Sequence, residues 1–490
     1  MTSRRNFLSL TGALAAAAGA VGLSRGAAAQ DHSGHGAPGG AAPQAPAQSP
    51  PRRVAQMTAG PAPAARTVVP QAPADGSYRP VATLNGTSLP WRMNGGVKEF
   101  RLVAQPVKRE FAPGMVVNAW GYNGATPGPT IEAVEGDRVR IYVKNELPEW
   151  TSVHWHGILL PNGMDGVGGL TQPQIPAGKT GIYEFMLEAP GTYMYHPHAD
   201  EMVQLAMGLM GLFIVHPKAP VERAVDRDFA FLLHAWDVKP GTATPQTSTM
   251  LDFNLWTINS RAFPSVDPLP VRLGDRVRVR IGNLSMTSHP IHLHGYHFRQ
   301  TATDGGRIPE SAQWPMTTVN VPVGATVDIE WVADRPGDWA LHCHKSHHTM
   351  NAMGHGIPNM IGVNQRGELA KRVNNLLPAY MAMGSTGMAE HAEMKMELPP
   401  NTLPMMTGTG PFGPLEMGGM FSVVKVREGL SVDDYKDPGP YKNPEGTVAY
   451  EVASGVAGAP TRKPEKPSTR ALAAEFDVVK PGTKRPSKHH

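Results

Sequence analysis

An internal repeat constrains the fold of this 490-residue chain more than any other feature. The five residues Gly136–Arg140 read GDRVR, and the same five letters return at Gly274–Arg278. In each copy a histidine pair of the form H-x-H begins eighteen residues after the glycine. A second H-x-H pair follows a Pro-Gly turn in each copy. Two copies of one pattern, in the same order, predict two homologous domains, at 81–217 and 228–363.

Both predicted domains have the periodicity of β-strands. Val139, Ile141 and Val143 alternate with polar residues, as do the apolar residues that follow Gly274. A period of two indicates strands with one face buried, and the Gly, Pro and Asn residues between such runs indicate turns. No long helical pattern interrupts 81–363. We therefore expect an all-β chain of two sandwiches.

The segments outside the repeat have different compositions. Arg4 and Arg5 precede a short apolar run from Leu10 to Leu23, and an A-x-A cleavage site follows at 27–29. This predicts a twin-arginine signal peptide over 1–29, too short for a membrane span, and export to the periplasm or the extracellular space. Residues 30–79 are rich in Ala, Pro and Gln and predict a disordered linker. Residues 364–490 predict a Met-rich extension with a basic tail and one added strand within 419–426.

Composition excludes several classes of protein. The single cysteine rules out an intrachain disulfide framework, zinc ribbons and iron–sulfur clusters. The net charge of +4 is mild, and no basic stripe with interleaved aromatics appears, so we expect no nucleic-acid partner. The 20 histidines and 25 methionines instead suit copper, which takes imidazole and soft sulfur ligands.

The histidine pairs supply a metal-binding pattern. Both members of an H-x-H pair on a strand point to the same face. Eight imidazoles at matched positions of two facing domains could hold about three metal ions. The four pairs are His154/His156, His196/His198, His292/His294 and His342/His344.

The lone cysteine, Cys343, stands between His342 and His344, so its side chain points to the opposite face of that strand. Two histidines, one cysteine and a distant methionine form the trigonal ligand set of blue copper sites. His289, His348 and Met353 are the partners in sequence that complete such a set around Cys343.

These motifs resemble those of the multicopper oxidase family, and of its two-domain, laccase-like branch in particular. The resemblance covers 81–363 and implies two cupredoxin-like Greek-key β-sandwich domains. It implies four coppers per functional unit: one type 1, one type 2 and two type 3. The implied type 1 ligands are His289, Cys343, His348 and Met353. The implied type 2 ligands are His154 and His292. The implied type 3 ligands are His156, His196, His198, His294, His342 and His344.

The resemblance also implies a reaction and an assembly. A small phenolic or metal-ion reductant gives single electrons to the type 1 copper. The electrons pass through Cys343, His342 and His344 to a three-copper cluster, where dioxygen becomes water. Asp165 matches the family's acid near the type 2 copper, although Met164-Asp165-Gly166 also fits a simple turn. Thr349 stands where the family often has a second acid. Similar two-domain enzymes form homotrimers, with the cluster between domain 1 of one chain and domain 2 of the next.

Three alternatives remain open from sequence. Thioethers between Met381 and Met420 suit cuprous ion, which predicts a metal-ion oxidase in copper tolerance, although methionine also fills gaps in ordinary cores. A copper nitrite reductase also has two such domains, but that class lacks four complete histidine pairs. A non-catalytic copper-binding protein is the third alternative, and it would not need Cys343 between two cluster ligands.

Overall fold

The two halves of the repeat fold into β-strands. The computed structural model describes residues 67, 72–219, 224–351, 359–360, 368–376, 381–382 and 398–449, all within the compact unit Gln56–His490. The predicted signal peptide, linker and basic tail lie outside these residues. The first ten strands are β1 (Ala82–Thr83), β2 (Trp91–Asn94), β3 (Val97–Ala112), β4 (Met115–Tyr122), β5 (Ile131–Val134), β6 (Arg138–Asn145), β7 (His154–His156), β8 (Thr180–Met186), β9 (Gly191–His196) and β10 (Gly211–His216).

The second half repeats the arrangement and extends it. Its strands are β11 (Arg227–Trp236), β12 (Leu255–Ile258), β13 (Leu269–Arg272), β14 (Arg276–Asn283), β15 (His289–Leu293), β16 (Phe298–Thr303), β17 (Gly306–Arg307), β18 (Pro315–Met316), β19 (Thr318–Val321), β20 (Thr326–Val332) and β21 (Gly337–Cys343). The later strands are β22 (Asn359–Met360), β23 (Met381–Ala382), β24 (Gly408–Gly410), β25 (Gly413–Leu415) and β26 (Phe421–Arg427). The helices are α1 (Glu201–Ala206) and α2 (Glu368–Leu376), with 3-10 turns at Asn162–Met164, Glu310–Ala312 and Ser346–Thr349.

Each half forms a two-sheet sandwich, which confirms the predicted all-β class. In domain 1 the sheet β2-β3-β6-β8, with β4 beside β3, packs on β5-β10-β9-β7. In domain 2 the sheet β1-β11-β14-β20-β16-β17 packs on β13-β26-β21-β15-β19. The predicted alternation holds in β6, where Val139, Ile141 and Val143 are fully buried between more exposed polar residues.

Two strands of domain 2 come from outside its expected bounds, 228–363. β26 comes from beyond residue 363 and lies in the second sheet of domain 2, between β13 and β21. It is the added strand expected within 419–426. At the start of the predicted domain 1, β1 pairs with β11, so residues 82–83 belong to a sheet of domain 2. Domain 2 is therefore built from three separated stretches of sequence.

A buried network of charges joins the two sandwiches. Arg280 on β14 donates hydrogen bonds to both carboxylate oxygens of Asp228 at 2.9 Å and to Thr192 Oγ1 at 2.8 Å. Thr192, on β9 of domain 1, donates to Asp328 at 2.8 Å. All four residues are at most 5% exposed. The network therefore fixes β9, the strand that ends in His196, against domain 2.

Candidate metal centre

Strand pairing brings the histidine pairs together within each domain. In domain 1, β7 runs antiparallel to β9 and places His154 opposite His196. In domain 2, β15 runs antiparallel to β21 and places His292 opposite His342. The two copies of the sequence repeat therefore pair their histidine strands in the same register. Each domain presents four imidazoles at one end of one sheet.

In domain 1 the four rings form a cluster that we call half-site 1. Its members are His154, His156, His196 and His198. The ring centroid of His154 lies 5.4–5.7 Å from those of the other three. His156 Nδ1 lies 3.2 Å from His196 Nε2. Burial lowers the pKa of His196 to about 3, so its imidazole is neutral and available as a ligand at neutral pH.

The matching cluster in domain 2, half-site 2, is more open. Its members are His292, His294, His342 and His344. The ring centroid of His292 lies 4.8–5.7 Å from those of the other three, and His294 Nε2 lies 3.1 Å from His342 Nε2. His294 and His344 are exposed. Within the part of the chain that the structure describes, no ring contact or hydrogen bond joins half-site 1 to half-site 2.

Hydrogen bonds to nearby backbone oxygens orient several of these rings. His154 Nδ1 lies 2.8 Å from the carbonyl oxygen of Asp165, and His196 Nδ1 lies 2.9 Å from that of Pro197. His292 Nδ1 lies 2.7 Å from the carbonyl oxygen of Thr317. Such contacts fix the tautomer and aim the second ring nitrogen at a metal.

Asp165 lies beside half-site 1. Its carboxylate Oδ1 is 3.4 Å from His154 Nδ1, and the side chain is 32% exposed. It ends the 3-10 turn Asn162–Met164, so the turn interpretation also holds. Gly166 follows with φ of +90°, and a Cβ there would lie 1.8 Å from the carbonyl oxygen of Val153. The glycine thus allows the turn to press against the strand that carries His154.

A second site, the thiol site, lies in the core of domain 2. His289 Nδ1 and His348 Nδ1 are 3.0 Å apart, and Cys343 Sγ lies 3.7 and 3.5 Å from them. His289 and Cys343 are fully buried and His348 is 7% exposed. Cys343 points away from His342 and His344, as the alternation along β21 requires. Met353 lies outside the described residues.

Burial sets the protonation states of the three ligands in the thiol site. It lowers the pKa of His289 to about 3 and that of His348 to about 4, and the positive charge of nearby Lys345 contributes to both shifts. Burial also raises the pKa of the Cys343 thiol to about 11. Both rings are therefore neutral without a metal, and a bound cation would displace the thiol proton.

Domain 1 has no equivalent of the thiol site. Thr151 occupies the position that corresponds to His289, Pro197 that of Cys343, and Met202 that of His348. Thr151 is fully buried and donates a 2.7 Å hydrogen bond to Gln204, which is buried too, whereas Met202 is exposed. The hydroxyl of Thr151 and the amide of Gln204 thus occupy the region of domain 1 that corresponds to the thiol and two imidazoles of domain 2.

Other histidines have structural partners. His216 Nε2 lies 2.9 Å from the Glu132 carboxylate. His234 is 3% exposed, its Nδ1 lies 2.8 Å from the carbonyl oxygen of Leu284, and burial lowers its pKa to about 4. Thr349 donates to the carbonyl oxygen of Ser346 and offers no acid.

Asn351 holds the chain before β26 against the loop of the thiol site. Its amide nitrogen Nδ2 donates to Pro404 O at 3.1 Å and to Thr407 Oγ1 at 3.2 Å. Its Oδ1 accepts from the Gly419 amide at 3.0 Å, and its own amide donates to Met405 O at 2.8 Å. The sequence did not predict the role of Asn351. The only signal was its place shortly after Cys343, and its hydrogen-bond partners lie far along the chain.

Comparison with known families agrees with this arrangement. Family models described as "Multicopper oxidase" match residues 104–220 and 237–361, one in each half of the repeat. The chain belongs to the multicopper oxidase family.

Its curated relatives are longer and match in part. Copper resistance protein A of Escherichia coli is 39% identical over 142 residues, which cover 28% of this chain and 23% of the relative. Multicopper oxidase MmcO of Mycobacterium tuberculosis is 31% identical over 239 residues, 42% of this chain and 46% of the relative. This multicopper oxidase thus spans less than half the length of these relatives. A blue copper oxidase from Nitrosomonas europaea has 26% identity and a TM-score of 0.49 over 67% of this chain and 85% of its own.

Proposed function

We propose that this protein is a laccase-like copper oxidase that couples one-electron oxidation of small reductants to the reduction of dioxygen to water. Phenols, aromatic amines and metal ions are the reductant classes. The observation that carries the proposal is the convergence of His289, Cys343 and His348 at one point. Cys343 is also bonded through the backbone to His342 and His344, two histidines of half-site 2.

The residues present suit copper. Two neutral imidazoles and one thiol within 3.7 Å of one another match the trigonal copper set, and Met353 is the proposed axial ligand. When bound, copper would supply reversible one-electron transfer and dioxygen chemistry that side chains lack. All three ligand side chains are buried, which limits the access of water to the site.

The two half-sites are proposed to hold the other three coppers. His154 and His292 would bind the type 2 copper. The remaining six histidines of the half-sites would bind the type 3 pair. Because Cys343, at the end of β21, is bonded through the backbone to His342 and His344, a short covalent path connects the thiol site to half-site 2.

We propose a homotrimer in which half-site 1 of one chain meets half-site 2 of its neighbour. Two observations support this assembly. The half-sites share no contact among the described residues of one chain, and His294 and His344 expose their rings. A ligand that is exposed in one copy is well placed to complete a site in another.

Asp165 is proposed to hold a proton for the reduction of dioxygen. Its carboxylate is half-exposed and lies 3.4 Å from His154 Nδ1, so it connects the cluster with solvent. The twin-arginine segment over 1–29 supports export, and no helix among the described residues is long and apolar enough to span a membrane.

A second candidate is a cuprous-ion oxidase in copper tolerance. One observation favours it: the segment with half-buried Met405, Met406 and Met417 is tied by Asn351 to the loop that carries His348. Soft thioethers beside the point of electron entry suit Cu(I). A non-catalytic copper-binding protein is disfavoured, because such a protein needs no ligand path between two sites.

Copper-loaded protein tests the proposal. We expect an intense blue thiolate-to-copper absorption band and consumption of dioxygen with a phenolic dye, Fe(II) or Cu(I) as parallel reductants. The ratio of the three rates assigns the substrate class. A colourless copper-loaded protein that consumes no dioxygen with any of them would contradict the proposed function.

A further inference from the structure

Each histidine of the thiol site has one neighbour that fixes the orientation of its ring. Ser285 lies beside His289, and Trp256 lies beside His348. Neither neighbour is a ligand, and neither is a residue type that metal-site motifs single out. Their geometry bears on how the three ligand atoms of the thiol site converge.

Ser285 determines which nitrogen of His289 is free. Its Oγ lies 2.7 Å from Asn283 Oδ1, 2.9 Å from the carbonyl oxygen of Thr287 and 2.6 Å from His289 Nε2. The first two atoms only accept hydrogen bonds, so the single hydroxyl hydrogen points to one of them. The hydroxyl oxygen then accepts a hydrogen bond from His289 Nε2–H. Nδ1 is left unprotonated, and it is the nitrogen that faces Cys343.

The orientation of the Asn283 amide is itself determined. Its Nδ2 donates to the carbonyl oxygens of Thr287 and Val321 at 2.9 and 3.0 Å. Oδ1 therefore faces Ser285 and also accepts the Ser285 amide at 2.9 Å. Ser285 is 2% exposed, so water does not compete for its hydroxyl. The hydrogen bonds therefore run in one direction, from His289 Nε2–H to Ser285 Oγ and from the Ser285 hydroxyl to Asn283 or Thr287.

Trp256 determines the plane of His348. The two rings are stacked, with centroids 4.6 Å apart and planes inclined by 16°. Trp256 is 7% exposed and sits on β12, which pairs with β11 in the core sheet of domain 2. The backbone of His348 is held as well, because its carbonyl oxygen accepts the Met420 amide at 2.9 Å. Stacking thus holds the plane of the imidazole, and in that plane Nδ1 lies 3.5 Å from Cys343 Sγ.

We propose that Ser285 and Trp256 are positioning residues that preorganise the thiol site, Ser285 by selecting the tautomer of His289 and Trp256 by fixing the ring plane of His348. The proposal rests on the proposed function, because it takes the thiol site to be the type 1 copper site. It adds two residues that are not metal ligands. Their effect reaches copper only through the two imidazoles.

The first test uses metal-free protein, so it is independent of any oxidase activity. Nitrogen NMR of the His289 ring at neutral pH is expected to show the Nε2–H tautomer in the wild type. Ser285→Ala is expected to give a mixture of tautomers. A wild type that carries its proton on Nδ1, or an unchanged tautomer in Ser285→Ala, would overturn the role of Ser285.

The second test measures copper directly. Ser285→Ala and Trp256→Leu are expected to weaken Cu(II) binding, in competition with a chelator, by on the order of 10–100-fold, the usual effect of losing a partner of a metal ligand. Both are expected to alter the blue absorption band. Trp256→Phe keeps a flat ring over His348 and is expected to restore most of the affinity and the band.

A matched control separates positioning from loss of packing. Trp331 is another buried tryptophan of the domain 2 core, 4% exposed, and makes no ring contact with a ligand histidine among the described residues. Trp331→Leu is expected to destabilise the fold without changing the blue band. If Trp256→Leu and Trp331→Leu affect affinity and band alike, the proposal for Trp256 fails. If the wild type itself binds copper without a blue band, the proposed function fails instead.

Discussion

Mixed oligomers of two inactive variants test where the three-copper cluster is assembled. His156→Ala removes a ring from half-site 1, and His294→Ala removes a ring from half-site 2. Each variant alone is expected to lose dioxygen reduction, because every cluster then lacks a ligand. The two variants damage different domains, so each retains one intact half-site.

The expected recovery follows from the geometry of the half-sites. Suppose that a cluster takes half-site 1 from one chain and half-site 2 from another. With equal amounts mixed at random, each of the two half-sites is intact with a probability of about one half. About a quarter of the clusters are then intact, and the mixture regains about a quarter of wild-type activity per chain. If each cluster forms within one chain, no cluster is intact and activity stays at zero.

The assay is oxygen consumption with a phenolic dye after co-expression of the two variants at equal levels. A control mixture pairs the wild type with the double variant His156→Ala/His294→Ala. A cluster between chains again predicts about a quarter of wild-type activity, whereas a cluster within one chain predicts about half. No recovery in the first mixture, together with about half in the second, would refute the assembly between chains.

Three further predictions concern the scaffold. Arg280→Met leaves buried Asp328 without its ion-pair partner and Asp228 with Arg278 alone, and it is expected to lower the free energy of unfolding by about 3–5 kcal/mol in a urea titration. The side chain of Arg276 is 25% exposed, and Arg276→Met is expected to cost under about 1 kcal/mol in the same titration; equal costs would contradict the role of the buried network. The native pKa of His234, about 4, lies below the unfolded value of 6.5, so between these values the unfolded chain binds a proton that the native state does not, and stability falls as pH falls. His234 is expected to lower the free energy of unfolding of the metal-free protein by about 2 kcal/mol between pH 7 and pH 5. His234→Phe should therefore flatten the dependence of this free energy on pH in that range. An unchanged slope would disprove the assignment. Asn351→Ala is expected to speed hydrogen exchange of the Gly419 amide by roughly ten-fold, and an unchanged rate would show that Asn351 does not hold that segment.

Local patterns in the sequence predict much of the fold and most of the site. The period of two in β6 places Val139, Ile141 and Val143 in the core, and the structure confirms it. The same rule puts both members of an H-x-H pair on one face and Cys343 on the other. Since each of these inferences needs only the alternation along a single strand, they do not depend on the order of strands in the sheet.

Features that depend on distant segments were not predictable in this way. The place of β26 between β13 and β21 is decided by packing in domain 2, and no periodicity within 421–427 indicates its neighbours. Ser285 and Trp256 act through their distance to His289 and His348, and a lone serine or tryptophan carries no such signal in sequence. Asn351 is of the same kind, since its partners Pro404 and Gly419 are far along the chain.

The stoichiometry of oxygen consumption tests the central claim most directly. Copper-loaded wild type is expected to oxidise about four equivalents of a one-electron reductant per dioxygen, with no peroxide released. Cys343→Ser, measured beside it, is expected to lose both the blue band and dioxygen reduction while every histidine of the half-sites remains. Turnover by Cys343→Ser at the wild-type rate, or release of peroxide with about two equivalents per dioxygen, would contradict the account.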